Sequence, residues 1–123
     1  MTRTLFPPET QAFLKALGSE TRQSILFEFA AREALTVGEV AENCGIGQST
    51  ASEQLAIMHK GGLVTATRTG KRVHYRADPA LMRAQMALLD DYLDRCCPPQ
   101  PSSEAASQIE PNGTLSQNSV GSD

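Results

Sequence analysis

Hydrophobic positions recur at helical spacing as far as residue 60, and then the rhythm changes. Pro7-Pro8 stops any earlier structure. After it, Phe13, Leu14 and Leu17 share one face of a first helix over residues 8–17, ended by Gly18. Ser19 caps a second helix, about residues 20–31, that gathers Ile25, Leu26 and Phe29. Thr36 is the N-cap of a third, which turns Val37, Val40 and Ala41 inward and runs out at Asn43-Cys44-Gly45. Residues 44–47 then make a tight turn bracketed by two glycines. A fourth helix, about residues 48–60, ends at Gly61-Gly62. Its apolar side is Ala51, Leu55 and Met58; Gln48, Ser49, Ser52 and Ala56 face the other way, with Thr50 at the edge.

Residues 63–68 and 72–77 are short, rich in Val, Thr and Tyr, and separated by Thr69-Gly70-Lys71, which predicts a β-hairpin. Asp78-Pro79 opens a last helix running to about residue 95, with proline in the first turn, where its missing N–H costs nothing. Met82, Met86, Leu89, Leu93 and Cys96 advance along it by alternating steps of four and three, widened by Leu81, Leu88 and Tyr92. Such a seam packs on the protein's own core or on a partner helix, and its width favours a homodimer. At Pro98 the composition breaks. Residues 98–123 are mostly Pro, Ser, Gln, Asn and Gly, too poor in apolar surface to offset ordering entropy, so a disordered polar tail is expected after one domain over residues 1–97.

A chain of 123 residues suits a single domain. No apolar run reaches the roughly 18–20 residues a membrane helix needs, and no secretory signal pattern opens the chain. The three cysteines are an odd number, two of them adjacent, unlike a disulfide framework. The expectation is a cytoplasmic protein with reduced thiols, without a membrane association.

The net charge of −3 belongs to the tail. All eleven Lys and Arg precede Cys96, whereas Glu104, Glu110 and Asp123 lie beyond Cys97. Between Val64 and Ala77, Arg68, Lys71, Arg72 and Arg76 occur without a single acid. Four helices, a basic hairpin and a fifth helix, with a short glycine turn between the third and fourth, are the order of a winged helix-turn-helix: mainly α with a small β-hairpin.

In that arrangement the fourth helix enters the major groove. Gln48, Ser49, Thr50 and Ser52 are small or amide-bearing groups at its start, suited to phosphates and base edges. Ser49 and Thr50 serve equally well as ordinary helix caps. Glu53 either accepts from a cytosine amino group or points past the groove. Arg68, Lys71 and Arg72 at the hairpin tip suit a phosphate backbone or a minor groove.

Several blocks, in order, resemble the ArsR/SmtB family of bacterial repressors. They are Ala16-Leu17-Gly18-Ser19-Glu20-Thr21-Arg22-Gln23-Ser24-Ile25-Leu26, Thr36-Val37-Gly38-Glu39-Val40-Ala41 and Gly45-Ile46-Gly47-Gln48-Ser49-Thr50-Ala51-Ser52-Glu53-Gln54-Leu55. Gly61-Gly62-Leu63-Val64 and Lys71-Arg72-Val73-His74-Tyr75-Arg76 complete the set, so the likeness covers about residues 5–93. The resemblance implies a homodimeric winged-helix repressor, joined through its first and last helices, that leaves double-stranded DNA when an inducer binds. Family members often carry His or Arg where this chain has Glu53-Gln54.

The family's metal sites use cysteines at the start of the third helix, or His and carboxylates along the last. Here the third helix opens Thr36-Val37-Gly38, and the last lacks His. Its Asp90, Asp91 and Asp94 lie opposite the stripe, while His59 and His74 fall on other elements, so none of the usual divalent-metal sites is expected and no cofactor is required. Cys96 and Cys97 remain as thiolate ligands for trivalent arsenic or antimony, with a third donor from Cys44 or the other subunit, or none for a monoalkylated arsenical. Other readings are a redox or reactive-sulfur switch at the pair, a small organic ligand as inducer, or no sensor in the chain. Cys44 itself resembles a buried core thiol. A rival of another class is a protein-interaction module that has lost DNA. No nucleophile–base pair emerges at a plausible spacing, so an enzyme is not expected.

Overall fold

The local rules that start and stop helices account for most of the observed element order. A computed structural model describes residues 6–99 and contains α1 (Pro8–Leu17), α2 (Glu20–Glu28), α3 (Val37–Cys44), α4 (Gln48–Lys60), β1 (Val64–Thr69), β2 (Arg72–Ala77) and α5 (Pro79–Cys96). The expected tail falls almost wholly outside the described residues. The chain divides into two units, Met1–Leu88 and Leu89–Asp123, and α5 contributes to each.

Ser19 caps α2 by accepting from the Arg22 N–H. Thr36 and Glu39 make a reciprocal capping box at α3. Asp78 accepts from the Leu81 N–H at 3.1 Å and so starts α5. At the end of α3, Gly45 takes φ 66°, and the Ile46 N–H reaches back to the Ala41 carbonyl at 3.0 Å, the six-to-one bond of a Schellman stop. The turn into α4 is therefore only Gly45-Ile46-Gly47.

Three boundaries differ from expectation. Helix α2 stops at Glu28 rather than near residue 31, because Phe29, Ala30 and Ala31 donate to Leu26, Phe27 and Glu28, bonds of the tighter three-residue turn. Strand β1 is shifted by one residue, starting at Val64 rather than 63 and pairing Thr69 with Arg72 at its tip, so the loop is Gly70-Lys71 alone, with Gly70 at φ 63°. Helix α5 includes Cys96.

In the first unit the core is Phe13 and Ala16 of α1, Ile25 of α2, Leu35, Val40 of α3, Ala51, Leu55 and Met58 of α4, and Leu63 and Val64 at the start of the hairpin. The inward face of α4 is the one its spacing predicts. That of α1 is rotated: Thr10, Phe13 and Ala16 are buried, while Leu14 and Leu17 are half-buried. Thr10 is tolerated inside because its hydroxyl donates to the Gln85 side-chain oxygen at 2.9 Å, joining α1 to α5. Leu35 exchanges two backbone hydrogen bonds with Tyr75, at 2.9 and 2.8 Å, and so adds a one-residue third strand to the hairpin. Arg76 with Glu33, at 3.1 Å, supports the same junction.

The second unit, over its described residues, is the end of α5 and the residues just beyond it. Arg95 lies over the Tyr92 ring at 4.5 Å and pairs with Asp91 at 3.5 Å. No residue of α5 is buried, and Leu81, Met86 and Leu93 are exposed.

Candidate nucleic-acid interface

Because Ala51, Leu55 and Met58 point into the core, the opposite face of α4 is left to solvent. Gln48, Ser49, Thr50, Ser52 and Glu53 are all exposed. Gly47 occupies the cap position and no side chain closes the helix, so Ser49 and Thr50 sit within the first turn and do not cap it. The capping reading of these two residues is corrected. The first N–H groups of α4 lack helical acceptors and carry the positive end of the helix dipole, which favours an anion there.

Gln54 differs from its neighbours. It is half-buried, and its side-chain oxygen accepts from Arg22 Nη1 at 2.8 Å. It is therefore committed to an internal contact, while Glu53 beside it is exposed and makes no ion pair among the described residues.

Alternation along the strands separates the hairpin cations. Thr65, Thr67 and Thr69 pair with Arg76, His74 and Arg72, whereas Arg68 pairs with Val73 and shares a face with Ala66 and the buried Val64. Arg68 and Arg72 thus leave opposite faces of the wing, and the expected single cluster at the tip becomes a cation on each side with Lys71 between them. A cleft of about 580 Å³ brings Lys71 and Arg72 together with Gln48 and with one side of α3, including Glu39 and Glu42. Arg68, Ser49, Thr50, Ser52 and Glu53 do not line it. Of the acids, Glu39 is held by Arg32 at 3.1 Å and by the Thr36 N–H at 2.8 Å. These partners, the backbone N–H foremost, hold its carboxyl below the ordinary range.

The Cys96 and Cys97 thiols lie 3.2 Å apart and both are exposed. The hydrogen bond between them pushes the Cys96 thiol above its usual range. Cys44 is half-buried rather than a fully buried core thiol, and burial, with the Glu28 charge behind it, raises its pKa as well. Among the described residues, no three His, Cys, Asp or Glu side chains converge as a metal site would need, and no helix is long and apolar enough to cross a membrane.

The residues that spacing alone did not single out are Arg22, Gln54 and Tyr75, each of which joins elements far apart in sequence. The one available signal was Arg22, a fork of donors five residues beyond the end of α1, within reach of that helix's last-turn carbonyls.

A helix, a glycine turn, a helix with a solvent-facing start and a cationic two-stranded hairpin define a winged helix-turn-helix domain. Residues 17–66 match a family model described as a helix-turn-helix domain. The chain is 33% identical over 72 residues to the biofilm growth-associated repressor of Xylella fastidiosa, covering 58% of this chain and 62% of that protein. It thus spans about three-fifths of that relative's length. Against the transcriptional activator HlyU of Vibrio cholerae it is 33% identical over 76 residues, 62% of this chain and 69% of the relative. A homodimeric winged helix-turn-helix DNA-binding domain from Mycobacterium bovis, described as a possible ArsR-family regulator, superposes with a TM-score of 0.56 at 30% identity, covering 72% of this chain and 82% of that one. The chain belongs to the ArsR family of winged helix-turn-helix transcriptional regulators.

Proposed function

We propose that the chain is a sequence-specific, DNA-binding transcriptional repressor of the cytoplasm, which acts as a homodimer on an imperfect inverted repeat and is released by a thiol-binding inducer. The observation that carries the DNA reading is the exposed, uncapped first turn of α4 beside Lys71 and Arg72. Its N–H groups suit a phosphate, and Gln48, Ser49, Thr50 and Ser52 suit base edges. Glu53 selects for cytosine amino groups or stays clear of the groove, and Arg68 grips the backbone from the far side of the wing. A second copy covers the exposed Met86 and Leu93 of α5, with α1 as the other half of the interface. The Mycobacterium structure is described as homodimeric and the Xylella relative as a repressor, which supports both readings. Since the Vibrio relative is named an activator, a reporter assay fixes the sign of regulation.

The inducer site is Cys96 and Cys97. Neighbouring Cα atoms are about 3.8 Å apart across one peptide, short of the roughly 4.4–6.8 Å that a relaxed disulfide spans. A direct S–S bond is therefore strained, and bridging by one soft atom suits the pair better. With arsenite, each thiol proton leaves with one arsenic hydroxyl as water, two As–S bonds form, and arsenic stays trivalent. Antimony(III) reacts in the same way. Two sulfurs suffice, so Cys44 is not needed.

The test is duplex binding as salt is raised, followed by release with arsenite, antimonite, zinc and peroxide. A DNA reader loses affinity steeply with salt because condensed counterions are released. A flat response supports an interaction module instead. Arsenite and antimonite should release the native protein but not the Cys96→Ser, Cys97→Ser double variant. Release of that variant by arsenite removes the cysteines from the mechanism, and release of the native protein by peroxide alone makes them a redox switch.

A further inference from the structure

The guanidinium of Arg22 spends all three of its nitrogens on two other helices. Nε donates to the Ala16 carbonyl at 2.9 Å and Nη2 to the Lys15 carbonyl at 2.8 Å, both in the last turn of α1. Nη1 donates to the Gln54 side chain of α4 at 2.8 Å. Carbonyls in a helix's last turn lack helical donors and carry the negative end of its dipole, so a cation there is doubly favoured. The planar fork fixes the directions of its bonds, which a lysine ammonium does not. No carboxylate pairs with Arg22 among the described residues, so the group is held by neutral oxygens alone.

On α4, Gln54 follows Glu53 directly and lies one turn beyond Thr50, at the boundary between the buried and the exposed faces. Turned inward to Arg22 and half-buried, it is not presented for the two-bond contact by which a glutamine reads adenine. Its amide instead ties the reading helix to α1. We propose that Arg22 is a positioning residue for DNA recognition: through Gln54 it sets the angle at which α4 presents Gln48, Ser49, Thr50 and Ser52, while touching no DNA itself. The inference rests on the DNA reading above. It also makes α1 a lever, because movement of its carbonyl end is passed to α4 through one side chain.

The experiment enriches a duplex from a random pool with the native protein, then compares affinity for that duplex and for a scrambled one, alongside thermal unfolding. Gln54→Met removes the acceptor at similar length, Arg22→Lys removes the fork, and Gln54→Glu keeps the acceptor. Each of the first two should lower the ratio of specific to scrambled affinity about tenfold, with scrambled binding and its salt slope unchanged. The double variant Arg22→Lys, Gln54→Met should be no worse than either alone, and Gln54→Glu should retain discrimination. Additive losses, unchanged discrimination, or equal loss on both duplexes in step with the melting temperature overturns the positioning role while leaving the DNA reading intact. Failure of the native protein to enrich any duplex overturns that reading, and this inference with it.

Discussion

Thr36 and Glu39 close one helix end between them, each supplying an acceptor to the other's backbone N–H. Thr36→Ala should cost about 1 kcal/mol of unfolding free energy, read from a shift in the urea midpoint at constant slope. The Glu39 carboxyl titrates lower in the folded chain than in the unfolded one. Its contribution is therefore complete above the unfolded pKa and fades as pH falls from there through the depressed folded value. Glu39→Gln should consequently be less stable than the native protein at pH 7, and the gap should close at the acid end of a pH series of unfolding curves. Arg72, on the solvent side of the wing, makes another kind of prediction. Replacing it with alanine should weaken all duplexes alike and reduce the salt slope by about 1, whereas Ser52→Ala should change which duplex is preferred. An Arg72→Ala protein with native affinity means that the wing is not against phosphate.

Among the elements, α4 and β2 were the most readable. Ala51, Leu55 and Met58 mark an apolar face at helical spacing, and all three are buried. Strand β2 occupies the residues its Val and Tyr content predicts. Helix α1 was less readable, because Thr10 is polar by type but satisfied by Gln85, seventy-five positions away. No periodicity argument can see that partner. Where α1 meets α4, a Cβ added to Gly61 would lie 2.6 Å from the Ala16 Cβ and 2.7 Å from the Ala12 carbonyl oxygen. Neither atom belongs to a flexible side chain that can swing aside. Gly61→Ala should destabilise the domain by about 1–3 kcal/mol, measured by denaturant unfolding. A neutral result would mean that the two helices can separate freely. The strand pairing of Leu35 with Tyr75 was also hidden in sequence, since a single residue carries no alternation.

At the scale of the molecule, the large apolar side chains left exposed among the described residues are Phe27 on α2 and Leu81, Met86 and Leu93 on α5, where Met86 and Leu93 are each more than half exposed. A monomer gains nothing by presenting such a stripe, so the expected species is a dimer. Met86→Asp combined with Leu93→Asp should halve the mass seen by sedimentation and abolish cooperative binding to an inverted repeat. Dimeric sedimentation of that variant would place the interface elsewhere.

Sequence by itself determined which elements form, in what order, and where the capped and glycine-stopped helix ends fall, along with which face of α4 is apolar, because caps, glycine stops and periodicity act over a few residues. It also determined the cationic character of the hairpin and the adjacency of Cys96 and Cys97. Only the tertiary structure decided that Arg68 and Arg72 leave opposite faces, that Gln48 shares a cleft with the wing, and that Gln54 is turned inward to Arg22. Those outcomes depend on pairing and packing between segments tens of residues apart, where the direction of a side chain is set by its neighbours in space.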